Sequence, residues 1–135
     1  MTYKIDEIEG IGPAYREKLE ANGITTTDEL LKACCAKAGR GKMAETTEIS
    51  EKLLLTWANM ADLMRINGVG KQFAELLEAA GVDTVKELKM RRADNLAAKM
   101  AEVNALKNLA KTAPAESVVS GWIEEAGQLE PLITH

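Results

Sequence analysis

Histidine is nearly missing from this sequence. The single one, His135, is the last of 135 residues, where a chain is expected to fray. No internal Ser–His or Cys–His pair can therefore form, and the commonest general base is lost. Cysteine is almost as scarce. Cys34 and Cys35 are neighbours, and adjacent cysteines rarely bridge. No further ligand lies close by for a metal. Two small side chains in a reduced compartment is the expectation. Aromatics make up 4%, and the apolar set is mainly Ala, Leu, Ile, Val and Met, which favours helices over strands. No run approaches the roughly 18 apolar residues of a membrane span. The opening MTYKIDEIEG has neither the basic start nor the apolar stretch of a signal peptide, so cytoplasmic residence and no membrane partner are expected. Positive charge is not in excess. The net charge is −4 and the pI about 5.1, which argues against coating nucleic acid by bulk attraction and leaves room for a local contact surface.

What is present is a repeat. Ile8 to Leu30, IEGIGPAYREKLEANGITTTDEL, aligns without gaps with Ile66 to Leu88, INGVGKQFAELLEAAGVDTVKEL, at an offset of 66 − 8 = 58. Eleven of the 23 pairs are identical, against roughly one or two expected from average residue usage. The shared residues are those that carry geometry. Gly10-Ile11-Gly12 and Gly68-Val69-Gly70 each read as a tight hairpin. Pro13 stands where a helix tolerates proline best, in its first turn. Tyr15 and Leu19, then Phe73 and Leu77, form one helical stripe. Gly23 and Gly81 end those helices. Thr26 with Glu29, and Thr84 with Glu87, have capping-box spacing for the next helix.

The rest of each half matches more loosely. Lys42-Met43-Ala44-Glu45 returns as Lys99-Met100-Ala101-Glu102 at an offset of 57. Each half then reaches a helix with a tryptophan. Ser50 reads as the N-cap of a helix carrying Leu54 and Trp57. Pro114 opens another carrying Val119 and Trp122. At that spacing both tryptophans are core anchors. The reading is a single all-α domain, one unit used twice, over about residues 1–64 and 65–135, packed around one core with pseudo-two-fold symmetry. Lys111 to Pro114 is the expected loop of the second half. Leu129, Leu132 and Ile133 predict that the last segment folds back as a cap.

Helix, Gly-apolar-Gly, helix resembles the helix–hairpin–helix module, and both 23-residue stretches carry that pattern. The whole chain is similar to a bacterial family of small, uncharacterised tandem helix–hairpin–helix proteins, a resemblance that implies fold and little else. Many helix–hairpin–helix proteins grip a nucleic-acid backbone with the hairpin. The resemblance thus implies phosphate contacts at Gly10, Ile11 and Gly12, and at Gly68, Val69 and Gly70. The physics agrees, because a helix start offers free N–H groups and the positive end of a dipole. The sequence departs from the DNA-binding pattern where a basic residue often follows the second glycine by two places; here that place holds Ala14 and Gln72. Glu9, Glu7 and Asp6 beside the first hairpin would repel a phosphate. Asn67, with Arg65 and Lys71 on either side, makes the second hairpin the better candidate.

Two further cationic segments support that reading. Lys32, Lys37, Arg40 and Lys42 lie together with no acid between them, and Lys86, Lys89, Arg91, Arg92 and Lys99 occupy the equivalent part of the second half. Brought to one side, they would give an acidic protein a basic face. Gly70-Lys71 lacks P-loop spacing, and Gln72 stands where a magnesium-holding Ser or Thr would be. No catalytic residue, cofactor or metal site is expected. Two functions follow: sequence-independent binding to a nucleic-acid backbone, DNA first, or a protein–protein interaction module that keeps the fold without the phosphate contact.

Overall fold

Gly10 and Gly68 set the geometry of the chain in the computed structural model, which describes residues 2–135. Both have positive φ, +96° and +90°, a region glycine enters without a Cβ penalty. A Cβ at Gly10 would stand 3.2 Å from Trp57 Nε1, and one at Gly68 would stand 3.6 Å from Trp122 Nε1. Each hairpin thus lies directly on an indole. The Ile11 amide donates to the Ile8 carbonyl at 3.2 Å, and the Val69 amide to the Ile66 carbonyl at 3.1 Å. These bonds close the turn and carry the apolar middle residue inward. Ile11 and Val69 are both buried.

Eight α-helices run through the described residues, and no strand is found among them. A 3₁₀ turn, Ile5–Glu7, leads to α1 (Pro13–Ala21), α2 (Thr27–Cys34), α3 (Lys37–Thr47) and α4 (Glu51–Leu63). Beyond the second hairpin come α5 (Lys71–Ala79), α6 (Val85–Leu88), α7 (Ala93–Lys107) and α8 (Glu116–Gln128). The first helix of each set ends alike. Ile24 N–H reaches back to Leu19 at 3.0 Å, and Val82 N–H to Leu77 at 2.9 Å. Those are the six-to-one bonds of a glycine-terminated helix, satisfying carbonyls that the helix leaves open.

Packing follows the same pairing. In the first set α4 packs on α2 and α3; in the second α8 packs on α6 and α7. The tryptophans anchor both. Trp57 meets Tyr15 edge-on with centroids 5.1 Å apart, and Trp122 meets Phe73 at 5.2 Å. Such pairs add about 0.5–1.5 kcal/mol beyond the area they bury. The sets join where α4 meets α5, and α5 packs in turn on α7 of its own set. Every residue from Trp57 to Met64 is buried, so the second half of α4 lies inside the molecule on all sides. The buried apolar side chains form one cluster drawn from both sets.

Several boundaries differ from the sequence reading. The helix with Trp57 runs on to Leu63, well past the tryptophan, with Ser50 Oγ accepting from Leu53 N–H at 3.2 Å as its cap. The helix with Trp122 starts at Glu116, and no side chain caps it. Residues 3–8 form a short turn, pinned by a single antiparallel bridge between Lys4 and Thr26. The capping box is complete only at Thr26, where Glu29 accepts from Thr26 N–H at 3.1 Å. At Thr84 the hydroxyl still accepts from Glu87 N–H at 3.2 Å, but the Glu87 carboxylate turns to Arg91 at 2.7 Å instead. A guanidinium one helical turn ahead is a stronger partner than a backbone amide.

Candidate functional site

Two hairpins that lie 58 residues apart in sequence meet in space. Lys71 Nζ, at the start of α5, pairs with Glu9 of the first hairpin at 3.5 Å. The acid that spoils the first hairpin for phosphate therefore also offsets the cation of the second. Asn67 N–H donates to the Glu125 carboxylate at 3.2 and 3.3 Å. Glu7 shares an open hollow with Gly70, Lys71, Gln72 and Phe73, so it faces the first turn of α5. Three carboxylates from two parts of the chain, Glu7 and Glu9 beside the first hairpin and Glu125 on α8, thus lie around the second hairpin and the start of α5. Val69 lends that hairpin no donor outward, because its amide is spent on Ile66. The same holds for Ile11 in the first hairpin. What stays open is the first turn of α5, which no side chain caps.

The expected cations separate into two groups. Arg40 was read as part of a basic surface, and the structure corrects that. It is 3% exposed, and it donates to the carbonyls of Cys34 and Cys35 at 3.0 Å each and of Thr134 at 2.6 Å. Those acceptors sit at the end of α2 and in the last segment, so the guanidinium is drawn inward. Arg65 is likewise a poor phosphate ligand. It pairs at 2.7 Å with Asp62, whose side chain is 1% exposed, and donates to the Glu130 carbonyl at 3.0 Å. Arg91 is taken by Glu87 and by the Gly81 carbonyl, 2.9 Å away. Arg92 is taken by Asp94 at 3.0 Å. That contact holds the Asp94 carboxyl below its usual range and the Arg92 guanidinium above its own. The second group is Lys32, Lys37, Lys42, Lys86, Lys89 and Lys99. All are exposed, and none is ion-paired among the described residues.

Two features escaped the sequence reading. The first is Asp62. Besides Arg65, its carboxylate accepts from Val85 N–H at 2.9 Å, at the first residue of α6. In the first set the equivalent amide, Thr27 N–H, donates to the Tyr3 carbonyl at 2.8 Å. A buried charge thus replaces a backbone group at the same task. The sequence holds no local signal for it, since the partners are 23 residues apart. The second is a carboxylate cluster at the junction of the hairpins. Glu75 on α5 hydrogen-bonds Glu9. Burial and the Glu9 charge push its pKa up, and Lys71 opposes them. Burial, then Asp83, raises Glu78 in the same way. Glu9, Glu75 and Glu78 line one shallow hollow with Lys107 and Met60.

Cys34 is fully buried and unbridged, and burial pushes its thiol up to about 11, which leaves it protonated and unreactive near neutrality. No group of three His, Cys, Asp or Glu side chains among the described residues is placed to hold a metal ion. No helix among them is long and apolar enough to cross a membrane.

A family model described as a domain of unknown function, DUF4332, matches residues 9–129. The chain belongs to that family. The matched span begins at Glu9 and ends at Leu129, so it takes in both glycine hairpins and both tryptophan helices. No curated protein and no solved structure matches the chain.

Proposed function

We propose that this DUF4332 chain is a non-catalytic protein-interaction module, built from two helix–hairpin–helix units in tandem within a single domain. The tandem reading is supported by the recurrence of whole contacts as well as residues: glycine on indole, indole on Tyr15 or Phe73, and the glycine-terminated first helix. The choice of partner rests on one observation. The Glu125 carboxylate receives the Asn67 amide, at the hairpin that a phosphate would have to approach. Like charge at that distance opposes a phosphate oxygen, and Glu9 and Glu7 add to it. A second reading, nucleic-acid backbone binding, draws support from the six exposed lysines and the uncapped start of α5.

The two separate in a titration of labelled duplex DNA by fluorescence anisotropy at low salt. The module reading expects no saturable binding by the native protein. It also expects a Glu9→Gln/Glu125→Gln variant to gain affinity, with a log–log salt slope of about −0.9 per phosphate neutralised. Tight, salt-dependent binding by the native chain would overturn the module reading. A protein partner retained on the immobilised chain after nuclease treatment is the positive outcome.

A further inference from the structure

The segment after α8 is the part of the molecule that the repeat does not account for. It leaves the helix with extended backbone at Leu129 (φ −92°, ψ 143°), and Leu129, Leu132 and Ile133 lie half-buried against the core. Its backbone is held at two points. Arg65 donates to the Glu130 carbonyl at 3.0 Å. At Thr134, the carbonyl accepts from Arg40 at 2.6 Å while the amide donates to Cys35 O at 2.8 Å. The seat is built rather than incidental. Cys34 and Cys35 hold one Arg40 nitrogen, so the other is aimed at the segment. Buried Asp62 orients Arg65. An aimed, buried guanidinium demands an acceptor.

The contacts describe their own ligand. Two carbonyls four residues apart span about 13 Å of extended chain, with aliphatic side chains between them. Each of these hydrogen bonds is made to backbone, so the seat recognises an extended peptide rather than one particular sequence. Donors facing carbonyl oxygens favour a neutral or acidic segment and disfavour a basic one. The half-buried apolar floor is unsuited to phosphates.

We propose that this seat is a peptide-binding groove for an extended aliphatic segment of a partner protein, which residues 129–135 occupy in cis until displaced. The proposal rests on the protein-interaction reading and gives that partner a form. The tethered segment competes at an effective concentration on the order of millimolar, so it acts as a built-in inhibitor.

The probe is a labelled peptide of residues 128–135, QLEPLITH, followed by anisotropy. It is titrated into the native chain and into a Leu132→Gln/Ile133→Gln variant whose own segment is loosened. The variant is expected to bind saturably, with a Kd in the range of about 1–100 μM, and the native chain at least about tenfold more weakly. A peptide N-methylated at the position of Thr134 cannot donate to Cys35, and should lose about tenfold or more. Absence of binding to the variant, equal binding by both chains, or indifference to N-methylation overturns the proposal. Dimers formed by exchange of segments in the concentrated native protein, seen by light scattering, overturn it in favour of a second copy as occupant. Should the variant fail to fold, amide exchange in the native chain decides. Thr134 N–H must exchange through local opening, faster than Val82 N–H, and exchange only by global unfolding overturns the groove. None of these readouts involves DNA, so loss of the groove and loss of the interaction-module reading are told apart.

Discussion

Glu75 shows how one side chain can register the meeting of two distant loops. Its carboxyl is half-buried and shares a hydrogen bond with Glu9, and both burial and that neighbour raise its pKa above the ordinary 4.5. A carboxyl raised in the folded state favours folding while protonated. Its ionisation costs stability as pH climbs from the unfolded value through the folded one. A Glu75→Gln variant keeps the hydrogen-bond donor and removes the charge. It should match the native protein below about pH 4.5 and exceed it in stability at neutral pH. Urea midpoints measured across that pH range would show it; equal midpoints at pH 7 would refute it. Residue by residue, the sequence showed which positions are apolar and which turn. It did not show which charges meet. Arg40 and Lys42 look alike in sequence, yet the first is buried and the second exposed. The difference lies in carbonyls supplied by Cys34, Cys35 and Thr134, the last 94 positions away.

Among the elements, α6 is the most dependent on others. Four residues long, it is too short to hold itself by helical hydrogen bonding alone. Thr84 caps one amide and Asp62 another, while Val85 and Leu88 supply its buried face. Removing the carboxylate leaves the Arg65 guanidinium and the Val85 amide without it. Asp62→Ala is expected to cost about 3–5 kcal/mol, the range for breaking one side of a buried pair, and Asp62→Asn less. The measurement is the shift in denaturant midpoint, and a cost under about 1 kcal/mol would contradict the assigned role. The elements show where local rules suffice. The box at Thr26 and Glu29 was legible because both partners lie within one turn. The one at Thr84 was legible only in half, since Glu87 had a competing partner in Arg91. Asp62 was illegible because its amide comes from the other repeat. α3 adds a close approach that spacing alone does not reveal: a Cβ at Gly39 would overlap the Ala33 carbonyl oxygen, so α3 starts tight against the end of α2.

For the whole molecule, the continuity of the core matters more than the repetition of the parts. Trp57 belongs to one set of helices and Trp122 to the other, yet both are buried in the same cluster. In a Trp57→Phe variant the remaining indole reports on the second set, and in Trp122→Phe on the first. Within each variant, the fluorescence transition in urea should coincide with the far-ultraviolet circular dichroism transition, as in two-state unfolding. Separated midpoints would mean that the halves unfold as independent units. That the chain is all-helical was legible at this scale, because a 23-residue repeat in the sequence doubles every local helix signal. The site was less legible. Offset alone does not say that the first hairpin's acid would face the second hairpin's lysine, because that depends on how two copies pack.

The position of Arg40 also bears on how the chain is made. The first four helices are complete in sequence by Leu63, but one acceptor for this buried guanidinium arrives only with Thr134. At about 5–20 residues per second of synthesis, the 134 − 63 = 71 residues between them take on the order of 4–14 s. Through that interval one Arg40 nitrogen of the nascent first half has water in place of its carbonyl, the apolar floor beside it is uncovered, and the contact closes only after Thr134 has emerged.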